Sequence, residues 1–288
     1  MVKKTVVFKK TASCELKADV YDKGNNSPVL IYLHGGGFIF GSRSWLPPSQ
    51  IEFFSEHGFS LVSVDYRLSP ETKLPDIVQD LKDAFDWLVH HSGHMFGFNP
   101  LNFAVIGSSA GGYAALLMGA MELRPKAIVS LYGYGDLLGD WITKPSGHYN
   151  LLPAVKEHGV KNTVNGKETA EGGWGRYDYY LYCRQKGIWV QEVTGYEPAK
   201  DRDTLLEFCP IHRITNIYPP ALLLHGEEDT DVPIEQSKIM NEKLAGAGIH
   251  SELITITGGG HVFDQNFSHP DVQAAFQKVK DFLWTHLH

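Results

Sequence analysis

Short β-branched or apolar runs alternate with helical patterns along most of this 288-residue chain. Such alternation is typical of a parallel sheet whose strands are joined by crossover helices. Apolar residues at helical spacing predict helices over residues 74–88, 113–123 and 272–282. The sequence therefore predicts an α/β fold with a mostly parallel eight-stranded sheet flanked by helices, its strands at Thr5–Phe8, Leu16–Tyr21, Val29–Leu33, Ser60–Val64, Phe103–Ile106, Ala127–Leu131, Ala221–Leu224 and Leu253–Ile256.

One long stretch interrupts this alternation. Between residues 136 and 212 no strand–helix repeat is visible, while glycines and aromatic residues such as Trp174, Tyr180 and Trp189 accumulate. Compact domains rarely contain a bare loop of this length, and open α/β sheets bind ligands at the carboxyl ends of their strands. We therefore predict a cap inserted at residues 136–212 over that edge, on a core formed by residues 1–135 and 213–288.

Composition excludes several classes of protein. The chain is 43% hydrophobic and 20% charged, which excludes a mostly disordered chain. Its net charge of −7, with scattered Lys and Arg, argues against a nucleic-acid partner. Cys14, Cys183 and Cys209 are too few and too far apart for a disulfide framework or a zinc site, and neither a metal nor another cofactor is predicted.

The hydropathy pattern predicts neither a signal peptide nor a membrane-spanning segment. The apolar run near the N-terminus, Val-Val-Phe, is shorter than the roughly 7–15 residues of a signal peptide. No stretch approaches the roughly 20 apolar residues that cross a bilayer. We therefore expect a cytoplasmic protein without a membrane span. The oligomeric state is left open, a homo-oligomer included.

A candidate nucleophile lies between the fifth predicted strand and a helical run, in Gly107-Ser108-Ser109-Ala110-Gly111. A nucleophilic serine needs its hydroxyl exposed on a sharp strand-to-helix turn. Flanking glycines remove side chains that would clash there. The G-x-S-x-G pattern alone is weak in a chain with 29 glycines. Its position after a strand and before a helix makes Ser109 the candidate.

A glycine-rich loop, His34-Gly35-Gly36-Gly37, directly follows the third predicted strand. Acyl transfer generates an oxyanion, which preorganised backbone N–H groups stabilise. Three glycines let the chain approach that oxygen closely. We predict an oxyanion hole formed by Gly35, Gly36 and Ala110, with His34 as a structural histidine that hydrogen-bonds the loop.

Several carboxylates follow the seventh predicted strand, and a triad needs one of them to orient the histidine. Asp229 has the best placement, just before the Val-Pro that opens the next helix. Asp231 is the alternative, and Glu227 and Glu228 are predicted to face solvent.

The candidate base is His261, which follows three glycines after the last predicted strand. A histidine on such a loop can reach over the sheet to the serine. His94, His148 and His158 are predicted to lie on the surface. The order serine, aspartate, histidine is diagnostic, because other triad folds use other chain orders.

Taken together, these motifs resemble the hormone-sensitive-lipase-like branch of the α/β-hydrolase esterases. The resemblance covers roughly residues 29–131 and 218–264 and implies an α/β-hydrolase fold, an acyl-enzyme and no cofactor. It also implies that Asp65 and Arg67 support the oxyanion loop from beneath. The matching segments are His34 to Phe38, Asp65-Tyr66-Arg67-Leu68-Ser69-Pro70-Glu71, Gly107 to Gly112, and His225-Gly226 through Asp229 to Val232-Pro233, with His261.

The chain departs from that branch in two places. Ser108 stands where the branch usually has Asp or Glu before the nucleophile. His34 lies too close to the N-terminus for the longer N-terminal segment that contributes cap helices in the branch. Any lid is therefore expected from residues 136–212.

The sequence thus predicts a serine hydrolase, a carboxylic ester hydrolase of the esterase or lipase type, acting on small-molecule esters. The aromatic insert suggests a compact site for short acyl or aryl groups, or else forms only its own core. An amidase, such as a hydrolase of N-formyl aromatic amides, is an alternative, because no motif reveals the leaving group. A non-catalytic ligand-binding protein usually lacks a triad member, and none is missing here. Natural substrate, acyl length and enantioselectivity are left open.

Overall fold

The computed structural model describes residues 1–160, 162–164 and 166–288. Within these residues the strands are β1 (Lys3–Lys10), β2 (Glu15–Tyr21), β3 (Val29–Leu33), β4 (Ser60–Val64), β5 (Phe103–Ser108), β6 (Ile128–Leu131), β7 (Ala221–Gly226) and β8 (Ser251–Ile256). The helices are α1 (Pro48–Glu56), α2 (Leu74–His91), α3 (Ala110–Met118), α4 (Asp140–Thr143), α5 (Glu157–Val160), α6 (Tyr177–Lys186), α7 (Trp189–Thr194), α8 (Arg202–Leu206), α9 (Glu235–Gly246) and α10 (Pro270–Leu287).

All eight strands belong to one sheet in the order β1-β2-β4-β3-β5-β6-β7-β8. β2 is antiparallel to both of its neighbours, β1 and β4, and the remaining pairs are parallel. The predicted fold class, a mostly parallel eight-stranded sheet flanked by helices, is confirmed. The carboxyl ends of β3, β5, β7 and β8 lie at one edge, so the loops that carry the predicted site residues converge there.

The sheet separates two apolar layers, because side chains alternate between the faces of a strand. In β3, Val29, Ile31 and Leu33 pack into one layer with α2 and α3, whereas Leu30 and Tyr32 pack into the other with α1 and α10. Both faces are covered, which explains why β3 reads as a continuous apolar run. β1 is a largely exposed, lysine-rich edge strand, a composition that discourages pairing with other chains.

Helix α3 differs from its prediction. It begins at Ala110, immediately after Ser109, and ends at Met118 rather than spanning 113–123. Every residue of α3 is buried, so no polar face marks its limits in the sequence. At its C-terminal end Gly119 packs closely, since a Cβ there would lie 2.5 Å from Ile128 Cδ1.

The 136–212 segment contains the short helices α4 to α8 and, among its described residues, no strand of the sheet. It lies on the loops that follow β3, β4 and β7. Arg176 donates hydrogen bonds to the carbonyls of Ile39 and Ser69, and Gly172 forms a β-bridge with Gly41. The segment therefore covers the carboxyl edge of the sheet. No helix of the described chain is long and apolar enough to cross a membrane.

Candidate active site

The turn between β5 and α3 exposes Ser109 in a strained backbone conformation. Its φ of 55° and ψ of −118° lie in a region that non-glycine residues seldom occupy. The flanking glycines are required by close backbone contacts. A Cβ on Gly107 would lie 2.1 Å from the carbonyl oxygen of Gly111, and one on Gly111 would lie 2.0 Å from that of Leu33. The G-x-S-x-G spacing thus reflects packing of α3 against β3 and β5.

Ser109, His261 and Asp229 form a continuous chain of hydrogen bonds. His261 Nε2 lies 3.0 Å from Ser109 Oγ, and His261 Nδ1 lies 2.7 Å from Asp229 Oδ2. Asp229 Oδ1 accepts the backbone N–H groups of Asp231 and Val232, both at 2.9 Å. With a carboxylate beside Nδ1, the proton of neutral imidazole belongs on Nδ1, which leaves Nε2 free to accept the serine proton.

The charges around His261 favour its protonated form. Burial alone would lower the pKa of His261, but the carboxylates of Asp231 and Asp229 outweigh it and hold that pKa above its usual value. Burial would likewise raise the pKa of Asp229, yet the hydrogen bonds from His225, His261 and the Val232 N–H hold it well below its usual range. These shifts favour an ionised Asp229 beside the imidazole.

Asp231, the other candidate acid, occupies a different position. Its Oδ2 lies 3.6 Å from His261 Nε2, the nitrogen that faces Ser109 rather than the one that Asp229 holds. Its Oδ1 accepts hydrogen bonds from Tyr180 Oη at 2.6 Å and from Arg184 Nη1. Asp231 therefore connects the triad to helix α6.

The glycine loop after β3 lies against Ser109. A Cβ on Gly35 would lie 3.3 Å from Ser109 Cβ, and Gly36 adopts a φ of +102°, which favours glycine. Within the described chain, the backbone N–H groups of Gly35, Gly36, Gly37 and Ala110 have no hydrogen-bond partner. Unpartnered N–H groups beside a serine hydroxyl are what an oxyanion hole requires.

Three neighbours fix the carbonyls of this loop. Tyr66 Oη donates to the carbonyl of His34 at 2.6 Å, Trp189 Nε1 donates to that of Gly37 at 3.1 Å, and Arg176 Nε donates to that of Ile39 at 2.7 Å. His34 is fully buried with Nδ1 2.7 Å from the carbonyl of Gly35, and burial lowers its pKa to about 4. A neutral, loop-bound His34 agrees with the structural role predicted for it.

The expected support from Asp65 and Arg67 is wrong in detail. Asp65 binds the Arg43 guanidinium at 2.7 Å, and Arg67 binds Asp80 at 2.8 Å. Neither side chain bonds the glycine loop among the described residues. Tyr66, the residue between them, does so instead, because alternate side chains of an extended segment point in opposite directions.

Behind His261 lies a buried polar group that sequence reasoning missed. Tyr132 packs edge-on against the His261 ring, with centroids 4.7 Å apart, and donates to Asp264 Oδ1 at 2.6 Å. Gln50 Nε2 donates to the other oxygen of Asp264 at 2.7 Å. Burial raises the pKa of Asp264. Ser108, where the resembled branch has an acid, hydrogen-bonds Tyr32 Oη at 3.1 Å.

The carboxylates and histidines that the sequence places on the surface are found there. Glu227, Glu228 and the three remote histidines, His94, His148 and His158, are exposed. Cys14, Cys183 and Cys209 are free thiols. Among the residues the structure describes, no cluster of three or more His, Cys, Asp or Glu side chains could hold a metal ion.

A small cavity opens beside Ser109 beneath the 136–212 segment. Its volume is about 10 Å³, roughly the space that one water-sized atom needs. Of its wall residues, the sequence motifs identified Ser109 and Gly37, and the aromatic richness of the insert pointed to Tyr180 and Trp189; the others were missed. The cavity is lined by Gly37, Ser109, Tyr134, Trp141, Ile142, Tyr180, Arg184, Trp189 and Val232.

Comparison with known proteins identifies the family. The family model described as BD-FAE matches residues 18–244, well over half of the chain. The chain belongs to the BD-FAE family. The matched range includes Ser109 and Asp229, whereas His261 lies beyond it.

Solved structures share the fold of this BD-FAE family member. An α/β-hydrolase superfamily protein from Enterococcus faecalis matches with a TM-score of 0.79 at 24% identity, covering 98% of each chain. The native esterase Est2 of Thermogutta terrifontis matches with a TM-score of 0.68 at 22% identity, covering 98% of this chain and 91% of its own. An α/β-hydrolase fold is therefore established, whereas the hormone-sensitive-lipase-like branch stays a prediction.

Curated relatives of this BD-FAE family member include large synthases. The non-reducing polyketide synthase ausA of Emericella nidulans is 26% identical over 341 residues, covering 98% of this chain. The non-reducing polyketide synthase Preu6 of Preussia isomera is 28% identical over 328 residues, covering 97% of it. The chain spans only 14% of the length of either synthase, so it corresponds to one segment of those proteins.

Proposed function

We propose that this protein is a serine hydrolase that cleaves small carboxylic esters through an acyl-enzyme on Ser109. The observation that carries the proposal is the unbroken contact from Ser109 Oγ through both nitrogens of His261 to Asp229, at 3.0 and 2.7 Å. Such a chain serves general-base activation of a hydroxyl. Membership of the BD-FAE family and the fold shared with structures that are named esterases support the same class of reaction.

In the first half-reaction His261 Nε2 takes the proton of Ser109 Oγ as the oxygen attacks the ester carbonyl carbon. The carbonyl oxygen becomes an oxyanion that accepts hydrogen bonds from the N–H groups of Gly35, Gly36 and Ala110. Gly37 has an equally unpartnered N–H and lines the cavity, so it joins the candidates for this role. His261 then gives its proton to the leaving alkoxide as the carbon–oxygen bond breaks.

In the second half-reaction a water molecule replaces the alcohol. His261 takes a proton from that water as its oxygen attacks the acyl carbon, and the same oxyanion donors stabilise the new intermediate. The bond to Ser109 breaks, Oγ regains the proton from His261, and the carboxylic acid leaves. Asp229 remains ionised throughout and stabilises the imidazolium on each occasion.

Ser109→Ala tests the proposal, with 4-nitrophenyl acetate as substrate and a fluorophosphonate probe as label. We expect turnover to fall by at least about 10⁴-fold, because removal of a catalytic serine leaves only oxyanion stabilisation and binding. The wild-type chain should label and the variant should not. Ser13→Ala changes an exposed serine remote from the site and is the matched control.

Two results would contradict the proposal. One is a Ser109→Ala protein that keeps more than a tenth of the wild-type turnover. The other is a folded wild-type protein that neither labels nor hydrolyses the ester. That second result is expected of a ligand-binding protein on a hydrolase scaffold.

A further inference from the structure

Three buried polar atoms on the wall of the Ser109 cavity lack a hydrogen-bond partner within the described chain. They are Tyr134 Oη, Trp141 Nε1 and Arg184 Nε. Buried polar groups in folded proteins are almost always hydrogen-bonded, because an unpaired one loses its contacts with water without replacement. Trp141 Nε1 and Arg184 Nε can only donate a hydrogen bond, whereas Tyr134 Oη can either donate or accept one. The residues that line the cavity therefore carry a set of buried donors without an acceptor.

The charge of Arg184 is already balanced. Its Nη1 donates to the carboxylate of Asp231 and to Tyr180 Oη, and its Nη2 donates to the backbone carbonyl of Asp231 at 3.0 Å. The guanidinium also lies 5.3 Å from the ring centre of Tyr149. Of the N–H groups of Arg184, only Nε–H has no acceptor within the described chain. An anionic ligand would meet the Asp231 carboxylate as well, so the donors fit a neutral acceptor better than a charged one.

The position of the cavity indicates which part of an ester would enter it. His261 must protonate the leaving alcohol, so the alcohol lies on the His261 side of the scissile bond. Ser109 and Gly37 line the cavity, whereas His261 does not. The cavity therefore lies on the acyl side. With a volume of about 10 Å³, the cavity has room for roughly one water-sized atom, so it admits only the narrow end of a small, unbranched group.

We propose that the cavity selects short, unbranched acyl groups that carry a neutral hydrogen-bond-accepting oxygen, such as an ether, hydroxyl or keto oxygen. This inference rests on the proposed function and specifies its substrate class. Tyr134, Trp141 and Arg184 are its specificity-determining residues. A site built to hydrogen-bond a substrate oxygen discriminates strongly against an analogue that lacks it, because its buried donors then stay unpaired.

Two esters of equal length test the proposal: 4-nitrophenyl methoxyacetate and 4-nitrophenyl butyrate, in which a methylene replaces the ether oxygen. Each kcat/KM is divided by the hydroxide-catalysed rate constant of the same ester, which removes the difference in intrinsic reactivity. We expect the corrected ratio to favour the methoxyacetate by at least about tenfold in the wild-type chain. This comparison needs no variant.

Conservative variants then assign the preference to the donors. Tyr134→Phe removes only a hydroxyl and Trp141→Phe removes the indole N–H, and both leave the Arg184–Asp231 ion pair in place. Each should lower the corrected ratio by about threefold or more. Tyr21→Phe, on β2 and outside the cavity, is the control and should leave the ratio unchanged.

The two proposals fail differently. A wild-type ratio near one, or a ratio that both cavity variants leave unchanged, overturns the acyl-pocket inference while ester hydrolysis through Ser109 stands. Failure to hydrolyse either ester, together with no labelling of Ser109, overturns the proposed function itself.

Discussion

Replacing Asp229 by Asn should move the proton of the neutral His261 ring from Nδ1 to Nε2 without changing the shape of the site. In the native chain Asp229 Oδ1 accepts two backbone N–H groups at 2.9 Å. An amide NH₂ cannot occupy that position, since it would face two donors, so the amide oxygen must take it. The NH₂ then takes the place of Oδ2, 2.7 Å from His261 Nδ1.

From that place the amide can only donate, so His261 must accept at Nδ1 and carry its proton on Nε2. Nε2 then has no lone pair for the proton of Ser109. The wrong tautomer in an otherwise intact triad lowers kcat by about 10⁴-fold, equivalent to about 5.4 kcal/mol of barrier. We expect a loss of this size in Asp229→Asn.

Initial rates with 4-nitrophenyl acetate across the neutral pH range measure the effect, with thermal unfolding and circular dichroism as checks of the fold. Asp231→Asn is the informative comparison, because Asp231 also lies beside His261 but does not hold Nδ1. An Asp229→Asn chain within tenfold of the wild-type kcat would refute the reasoning. So would a folded Asp231→Asn chain that loses more activity than Asp229→Asn.

Three further variants probe the same site, and a fourth, Gly159→Ala, is a control outside it. Asp231→Asn should move the acidic limb of kcat/KM to lower pH, because the Asp231 carboxylate raises the pKa of His261 and the base must be neutral; a limb that stays fixed or moves to higher pH contradicts this. Gly111→Ala puts a Cβ 2.0 Å from a β3 carbonyl oxygen, so we expect about a 10²-fold loss of kcat/KM and a lower unfolding temperature. In Gly159→Ala the added Cβ meets nothing within 4 Å, so neither kcat/KM nor the unfolding temperature should change. Equal losses in Gly111→Ala and Gly159→Ala would refute the packing argument. Trp189→Phe removes a hydrogen bond to the glycine loop and should lower kcat about fivefold; an unchanged kcat would show that this bond does not position the loop.

Local chain chemistry made much of the fold predictable. Buried parallel strands are short apolar runs, and all eight were located within a few residues. The limits of α3 were not located correctly, because a helix buried on every side has no amphipathic pattern. The glycines around Ser109 were recognisable because backbone contact on both sides of the turn excludes any side chain.

The choice between Asp229 and Asp231 was harder to predict. Both lie on one loop, and both carboxylates are within 4 Å of a ring nitrogen of His261. What separates them is the pair of backbone N–H groups that fixes Asp229, together with the Arg184 guanidinium that holds Asp231. The first depends on the turn geometry and the second on a helix 47 residues away in the sequence. Neither the turn geometry nor this long-range contact leaves a pattern in the sequence around the two aspartates.

The cavity donors were unpredictable for the same reason. Tyr134 comes from the loop after β6, Trp141 from α4 and Arg184 from α6, and they share only their position around one small space. A tyrosine or tryptophan in an aromatic-rich segment has the same sequence signature whether it fills a core or contacts a ligand.

Trp189 and Arg176 bind the carbonyls of Gly37 and Ile39, so the covering segment and the glycine loop depend on each other. An engineer who exchanged residues 136–212 for the insert of a distant homologue would also remove the supports of the glycine loop after β3. Altered selectivity by such grafting would require both pieces to be transplanted as a matched pair. Changes confined to the cavity wall give a safer route to new substrates.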